Sequence, residues 1–276
     1  MDARRADPEH VSRQAAAIAL VGFDGDDTLW HSEGYYRAVH DEFERILGAW
    51  VDLADARLHE RLLATERRNL RLFGYGAKGM TLSMLETAIE LTGERIGAGD
   101  LHRILQLGKS VLEHPVELID GIRAAVEAVA ATHRIVLITK GDLFHQEAKV
   151  AQSGLADLFH RIEIVSEKEP ATYRRVLSEF DVPAESFAMV GNSLRSDIEP
   201  VVALGGWGVH MPYHVTWAHE LDAGIDPAHP RFVTVSRAAD IPAALAALPR
   251  GAACCSRVAA RPRGPAACCA CWSCSR

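Results

Sequence analysis

The sequence predicts an α/β fold: a parallel sheet with helices on both faces, interrupted after its first strand by an all-helical segment. Three observations carry this. Apolar runs recur along the chain and each ends abruptly in a polar loop, as strands buried on both faces do. Helical periodicity fills most of the gaps between runs, and alternating strand and helix implies parallel pairing. Residues 31–114 break that alternation, carrying helical periodicity and no strand pattern.

The first run, AIALVGF (17–23), ends in Asp-Gly-Asp-Asp-Thr. Beyond it, Tyr36, Val39, Phe43, Ile46 and Trp50 recur at steps of three and four, as do Leu82, Leu85 and Ile89, and then Leu101, Ile104, Gly108 and Val111. With 53–72 between them this makes about four amphipathic helices, a separate small domain bounded by Ser32-Glu33-Gly34 and His114-Pro115. A helix over 119–131 leads to RIVLIT (134–139) and Lys-Gly-Asp, and one over 143–153 leads to RIEIVS (161–166) and Glu-Lys-Glu-Pro. A helix over 171–180 precedes SFAMV (186–190) and Gly-Asn-Ser, and one over 197–204, closed by Gly205-Gly206, precedes WGVHM (207–211). The last helical pattern is AALAAL (243–248). The predicted organisation is a core of 17–30 and 115–248, a helical insert of 31–114, an N-terminal extension of 1–16 and a tail of 249–276.

The chain has 276 residues, 48% of them hydrophobic, enough for a large core without staples. Thirty Lys and Arg against 37 Asp and Glu give a net charge of −7, so no basic field exists to hold nucleic acid or an anionic membrane. All six cysteines (Cys254, Cys255, Cys268, Cys269, Cys271, Cys274) lie in the last 23 residues, and a cysteine-free body suits a reducing compartment. Residues 251–276 contain four Arg, no Lys, Asp or Glu and little to bury, so the tail is expected to be disordered. Without its arginines the body stands at −11, with 26 basic against 37 acidic residues. The N-terminal apolar run is too short for a secretory signal, and no stretch approaches the ~18 apolar residues of a membrane span. A cytoplasmic location is expected.

Ligands of open parallel sheets bind at the carboxyl ends of the strands, and there the polar residues cluster. Asp24, Asp26 and Asp27 put three carboxylates in four positions after the first strand. Such like charges repel unless a cation or proton sits among them; the plain alternative is a solvated acidic turn. Thr139 ends the second run, Lys168 follows the third, and Asn192, Ser193 and Asp197 follow the fourth. Singly these read as a strand-ending Thr, a surface Lys, a turn Asn and a helix-capping Asp. Together they supply what phosphoryl transfer needs: a nucleophile, a metal site and donors for three equatorial oxygens.

In these residues the chain resembles the haloacid dehalogenase superfamily, whose four motifs appear in order between about residues 17 and 248. DxDxT matches Asp24, Asp26 and Thr28; the Thr or Ser of the second motif matches Thr139; the Lys of the third matches Lys168, one residue before Glu169-Pro170 rather than directly before Pro. The fourth, GDSxxxD, matches Gly191-Asn192-Ser193 through Asp197, with Asn where the first Asp is usual. The resemblance implies a Rossmann-like core, a helical cap, and a Mg²⁺-dependent phosphatase acting on a small phosphorylated metabolite. By that resemblance Asp24 is the nucleophile that forms an aspartyl-phosphate, Asp26 the general acid and base, and Thr139 and Lys168 the binders of nonbridging oxygens. Mg²⁺ is then held by Asp24, the Asp26 carbonyl, and Asn192 or Asp197, with Asn192 removing one charge from the site.

Dehalogenases of the superfamily lack the second Asp of the first motif, because a halide leaves without a proton, so Asp26 favours a phosphatase. Alternatives are a phosphomutase, a phosphonatase with Lys78 as its Schiff-base lysine, a receiver-type regulatory domain, and a catalytically weak phosphate-binding protein. In the cap, Arg67, Arg68, Arg71, Tyr75 and Lys78 are candidates to meet a second anionic or polar group, or else form a solvated face. His210, His214 and His219 lack metal-ligand spacing and are expected in loops.

Overall fold

A computed structural model of the chain describes residues 17–214, 224–226 and 228–248. The expectations for the N-terminal extension, for the cysteine-rich tail and for His219 concern residues outside the described ones.

Six strands form one sheet: β1 (Leu20–Phe23), β2 (Arg134–Lys140), β3 (Arg161–Val165), β4 (Phe187–Gly191), β5 (Trp207–His210) and β6 (Phe232–Thr234). Their order is β3-β2-β1-β4-β5-β6 and every neighbouring pair is parallel. β1 lies between β2 and β4, with all four of its residues buried, hence its unbroken apolar run. Alternate residues feed two cores: Val21, Phe23, Ile135 and Leu137 pack beneath Ile122 and Val126, while Leu20, Val136 and Ile138 pack beneath Tyr173 and Val176 on the opposite face. The strand order reverses at β1, which makes the crevice beyond the ends of β1 and β4 the switch point where such sheets bind ligands.

The helical insert comprises α1 (Glu33–Leu47), α2 (Leu53–Ala56), α3 (Leu58–Phe73), α4 (Ala77–Leu91) and α5 (Ala98–Glu113), around a core of their own that includes Phe43, Leu62, Met84 and Ile104. The segment expected as one helix over 53–72 is two. Asp52 caps a single turn by accepting from Ala54 N at 2.9 Å, and Arg57, left-handed at φ 48°, then redirects the chain.

The core helices are α6 (Ile122–Ala130), α7 (Leu143–Ser153), α8 (Pro170–Phe180), α9 (Glu199–Ala203) and α10 (Ile241–Ala247). Two departures from the sequence reading have plain causes. A π-helical turn over Leu194–Ile198 precedes α9, displacing the helix start expected at 197. Pro200 has no N–H for the Ser196 carbonyl, which instead accepts the Tyr173 hydroxyl at 2.8 Å. β6 went unforeseen because it is three residues long and half-exposed, with too short an apolar run to register. His210 ends β5 and so is not in a loop.

Candidate active site

Asp24 continues the β1–β4 ladder, its N–H donating to the Val190 carbonyl at 2.9 Å, and that fixes its side chain at the switch point. The chain then turns sharply: the Gly25 carbonyl accepts from Leu29 N at 2.7 Å, and Asp27 adopts a left-handed φ of 59°. The turn separates the three carboxylates. Asp27 faces backbone, accepting from Ser32 N at 2.9 Å and Glu33 N at 3.1 Å at the start of α1. Burial raises its pKa to about 7. Asp27 thus anchors the start of α1 rather than sharing a carboxylate cluster with Asp24 and Asp26.

Asp24, Lys168 and Asp197 form one buried group. Lys168 donates to Asp24 Oδ1 and, at 2.8 Å, to Asp197 Oδ1, while Asp197 Oδ2 accepts from Ser193 N at 3.0 Å. Gly191 permits this approach, since a Cβ there would meet Asp197 Oδ2 at 2.2 Å. Burial and then Asp197 push Asp24 up to about 8, against the pull of Lys168. Burial works against the Lys168 charge, but Asp197 and Asp24 outweigh it and raise its pKa. The other side of Asp24 faces Thr28, whose Oγ1 is 3.5 Å from Asp24 Oδ2 and 3.3 Å from Asn192 Oδ1. Asp24 and Asn192 therefore turn oxygens towards one hydroxyl, whereas both Asp197 oxygens are already engaged. Thr139 Oγ1, at the end of β2, is buried and has no hydrogen-bond partner. A buried donor left unsatisfied costs about 1–3 kcal/mol, so an incoming acceptor gains by meeting it.

Asp26 stands apart from this group. Its carboxylate accepts from Trp30 Nε1 at 2.6 Å, Gln146 Nε2 at 2.8 Å and Lys149 Nζ at 2.5 Å. Burial would raise its pKa, but the Lys149 charge and these three hydrogen bonds outweigh it and hold the pKa below the ordinary value. Lys149 and Gln146, absent from the sequence reading, are both buried on α7. A signal was there: α7 buries positions 145, 146, 149, 150 and 153, and polar residues fill most of that stripe.

All six residues singled out by sequence, Asp24, Asp26, Thr139, Lys168, Asn192 and Asp197, line one cavity beneath the cap. Tyr75 joins them from the cap, its hydroxyl donating to Glu167 at 2.6 Å across to the core. Three cap cations do not line the cavity: Arg68 pairs with Glu86 at 2.9 Å, Lys78 with Asp142 at 2.9 Å, and Arg71 is exposed. Arg67 lines an adjoining surface hollow instead. Lys78 also sits over the face of Phe144, so the Schiff-base reading places its lysine outside the cavity. His210 Nε2 lies 3.1 Å from the Asn192 carbonyl and burial lowers its pKa, the pairing of a neutral ring that steadies the Asn192 turn. Among the described residues no three His, Cys, Asp or Glu side chains form a metal-ligand group, and no helix is long and apolar enough to cross a membrane.

The model of one protein family, haloacid dehalogenase-like hydrolase, matches residues 18–205. No curated protein matches the chain. Among solved structures, a haloacid dehalogenase-like family hydrolase from Xanthomonas campestris is 59% identical with a TM-score of 0.78, over 85% of this chain and 97% of the other. A 2-haloacid dehalogenase from Pseudomonas syringae (21% identity, TM-score 0.55, 83% and 98% of the two chains) shares the fold. So does a β-phosphoglucomutase-like protein from Thermotoga maritima (17%, 0.56, 83% and 98%). With a family model that matches residues 18–205 and a 59% identical structure over 85% of its length, the chain belongs to the haloacid dehalogenase-like hydrolases.

Proposed function

We propose that the protein is a Mg²⁺-dependent phosphatase that hydrolyses a small phosphorylated metabolite through an aspartyl-phosphate on Asp24. The observation that carries this reading is the unpartnered, buried Thr139 hydroxyl in the same cavity as Asp24 and Lys168. A hydroxyl and an ammonium around a carboxylate suit an entering group with several anionic oxygens.

The oxygens facing Thr28, from Asp24 and Asn192, are the hard donors a Mg²⁺ ion takes, so the residues fit the metal. Asp24, the Asp26 carbonyl and Asn192 would hold it, with Asp197 behind them orienting Lys168 and the Ser193 turn. When bound, the ion offsets the repulsion between the nucleophile and the phosphate dianion. A carboxylate oxygen of Asp24 attacks phosphorus, the bond to the ester oxygen breaks, and Asp26 gives that oxygen a proton. Water then attacks the phosphorus of the acyl phosphate and loses a proton to Asp26; the Asp24 oxygen departs and orthophosphate leaves.

Lys149 favours the ionised form of Asp26, the form the second step needs. A halide leaves without a proton and an alkoxide does not, so the first-step role of Asp26 favours a phosphate ester over a carbon-halogen substrate. A panel of phosphate esters and 2-haloacids, assayed with and without Mg²⁺ for released phosphate and halide, tests it. Mg²⁺-dependent phosphate release is expected, and halide release without phosphatase activity would overturn the proposal.

A further inference from the structure

We propose that Gln146 holds the water that hydrolyses the acyl phosphate: its amide nitrogen fixes Asp26, and its amide oxygen accepts the water's second O–H. The inference rests on the phosphatase reading and adds the residue that orients the nucleophile of the second step.

Gln146 lies on α7, is 2% exposed, and lines the same cavity as Asp24 and Asp26. The orientation of its amide is settled by what it meets. One end of the group faces two acceptors, Asp26 Oδ2 at 2.8 Å and the Lys140 carbonyl at 3.1 Å, so the nitrogen belongs there. Gly141, at φ 147°, makes room for it, since a Cβ there would meet Gln146 Nε2 at 2.8 Å. The remaining polar atom, Oε1, is buried and has no hydrogen-bond partner. Two hydrogen bonds and close packing thus hold an unanswered acceptor in place at the catalytic cavity.

Gln146 Oε1 and Thr139 Oγ1 are both unpartnered, but they call for different visitors. A hydroxyl can donate and so answers a phosphate oxygen; an amide oxygen only accepts and needs an incoming O–H or N–H. Neither a phosphate dianion nor a metal ion carries one. The attacking water carries two. It gives one proton to Asp26 as its oxygen bonds to phosphorus, and its other O–H needs an acceptor that leaves a lone pair turned to the phosphorus. Oε1 belongs to the same amide whose nitrogen is bound to Asp26, which puts it within reach of a water on that carboxylate. As the new bond forms, the bond from phosphorus to the Asp24 oxygen breaks, and orthophosphate leaves with the proton on Asp26.

Methanol separates this role from a merely structural one. It gives its single O–H to Asp26 and has none left for Gln146, so it turns the acyl phosphate into methyl phosphate without that contact. The test uses the full-length protein with Mg²⁺ and p-nitrophenyl phosphate in aqueous methanol, and reads the ratio of methyl phosphate to orthophosphate by phosphorus NMR. Wild-type protein is expected to form less methyl phosphate than the mole fraction of methanol would give. In Gln146→Met the ratio should rise about tenfold, and Gln146→Glu, which keeps an oxygen acceptor, should stay near wild type. Loosening of Asp26 alone would slow both nucleophiles alike and leave the ratio where it was. A wild-type enzyme indifferent between the nucleophiles, an unchanged ratio in Gln146→Met, or an equal rise in Gln146→Glu would overturn the inference, while orthophosphate release would leave the phosphatase reading intact. Absence of Mg²⁺-dependent phosphate release from p-nitrophenyl phosphate and from the ester panel would overturn both.

Discussion

Replacing Lys149 by Met isolates the contact that sequence did not reveal. The wild-type Asp26 carboxylate has three donors, only one of them charged, and Lys149 itself is buried with its side chain 8% exposed. Met fills similar volume and removes the charge, so Asp26 keeps Trp30 and Gln146 as neutral partners. Breaking a fully buried pair costs about 3–5 kcal/mol; with Asp26 partly open to solvent, about 2–3 kcal/mol is expected at pH 7. For a body of this size that is a fall in Tm of roughly 5–10 °C. The sign with pH follows from the lowered pKa of Asp26. A carboxyl depressed in the folded state contributes stability above its unfolded value near 3.8, and that contribution is lost as pH falls through its folded value. The gap between wild type and Lys149→Met should therefore be widest near neutrality and shrink below about pH 4. Melting curves across that range, recorded with EDTA present, measure it. An equal Tm gap at every pH, or none at pH 7, would refute the reasoning.

Asp24→Asn should abolish phosphate release while keeping the wild-type circular dichroism spectrum, since an amide of nearly the same shape is a poor nucleophile; near-normal turnover would remove Asp24 from its role. Metal-free protein should lose stability as pH rises from about 4 to about 8, because Asp24 is a carboxyl whose folded pKa is raised, its ionisation opposed by burial and Asp197. Mg²⁺ should restore most of the loss at the alkaline end of a melting series, and a pH-independent metal effect would count against this. Wild-type kcat/KM should fall as the leaving-group pKa rises, since the lowered pKa of Asp26 makes its protonated form, the one that serves the leaving oxygen, the minor one; a flat leaving-group series would contradict it. Asn192→Asp should lower the half-saturating Mg²⁺ concentration and weaken inhibition by orthophosphate, both read from the hydrolysis assay, whereas an unchanged Mg²⁺ response would place Asn192 outside the metal's ligands.

Much of this architecture was legible because burial writes itself into sequence. Every residue of β1 is buried, so its apolar run is unbroken, and the polar groups that interrupt such runs at their carboxyl ends come together around one cavity. What stayed hidden depends on side chains distant in sequence. Lys149 reaches Asp26 across 123 positions, and the polar stripe of α7 marks a face turned inward without saying which carboxylate it meets. Asp27 resembled its neighbours until its positive φ turned it to the backbone of Ser32 and Glu33. The cap arginines were ambiguous for a related reason: spacing puts them on a helix but does not decide between solvent, Glu86 and the cavity.

The charges at the floor of the cavity give Asn192 a consistent place. Asp24, Asp197 and Lys168 lie within hydrogen-bonding reach of one another, and with both acids ionised they carry a net negative charge. That is a poor setting for a phosphate dianion, and the raised pKa of Asp24 expresses the same strain in the protein without metal. A divalent ion turns the balance positive, which both favours the ionised nucleophile and attracts the dianion. Had residue 192 been Asp, the loaded centre would be neutral, holding metal more firmly and phosphate less. An amide oxygen keeps a hard donor beside Asp24 and would leave the positive charge of the proposed ion for the substrate. With the proposed ion and phosphate bound, the departure from GDSxxxD would shift affinity from the ion to the phosphate, and the opposite movements of Mg²⁺ requirement and orthophosphate inhibition expected for Asn192→Asp are two readings of one charge.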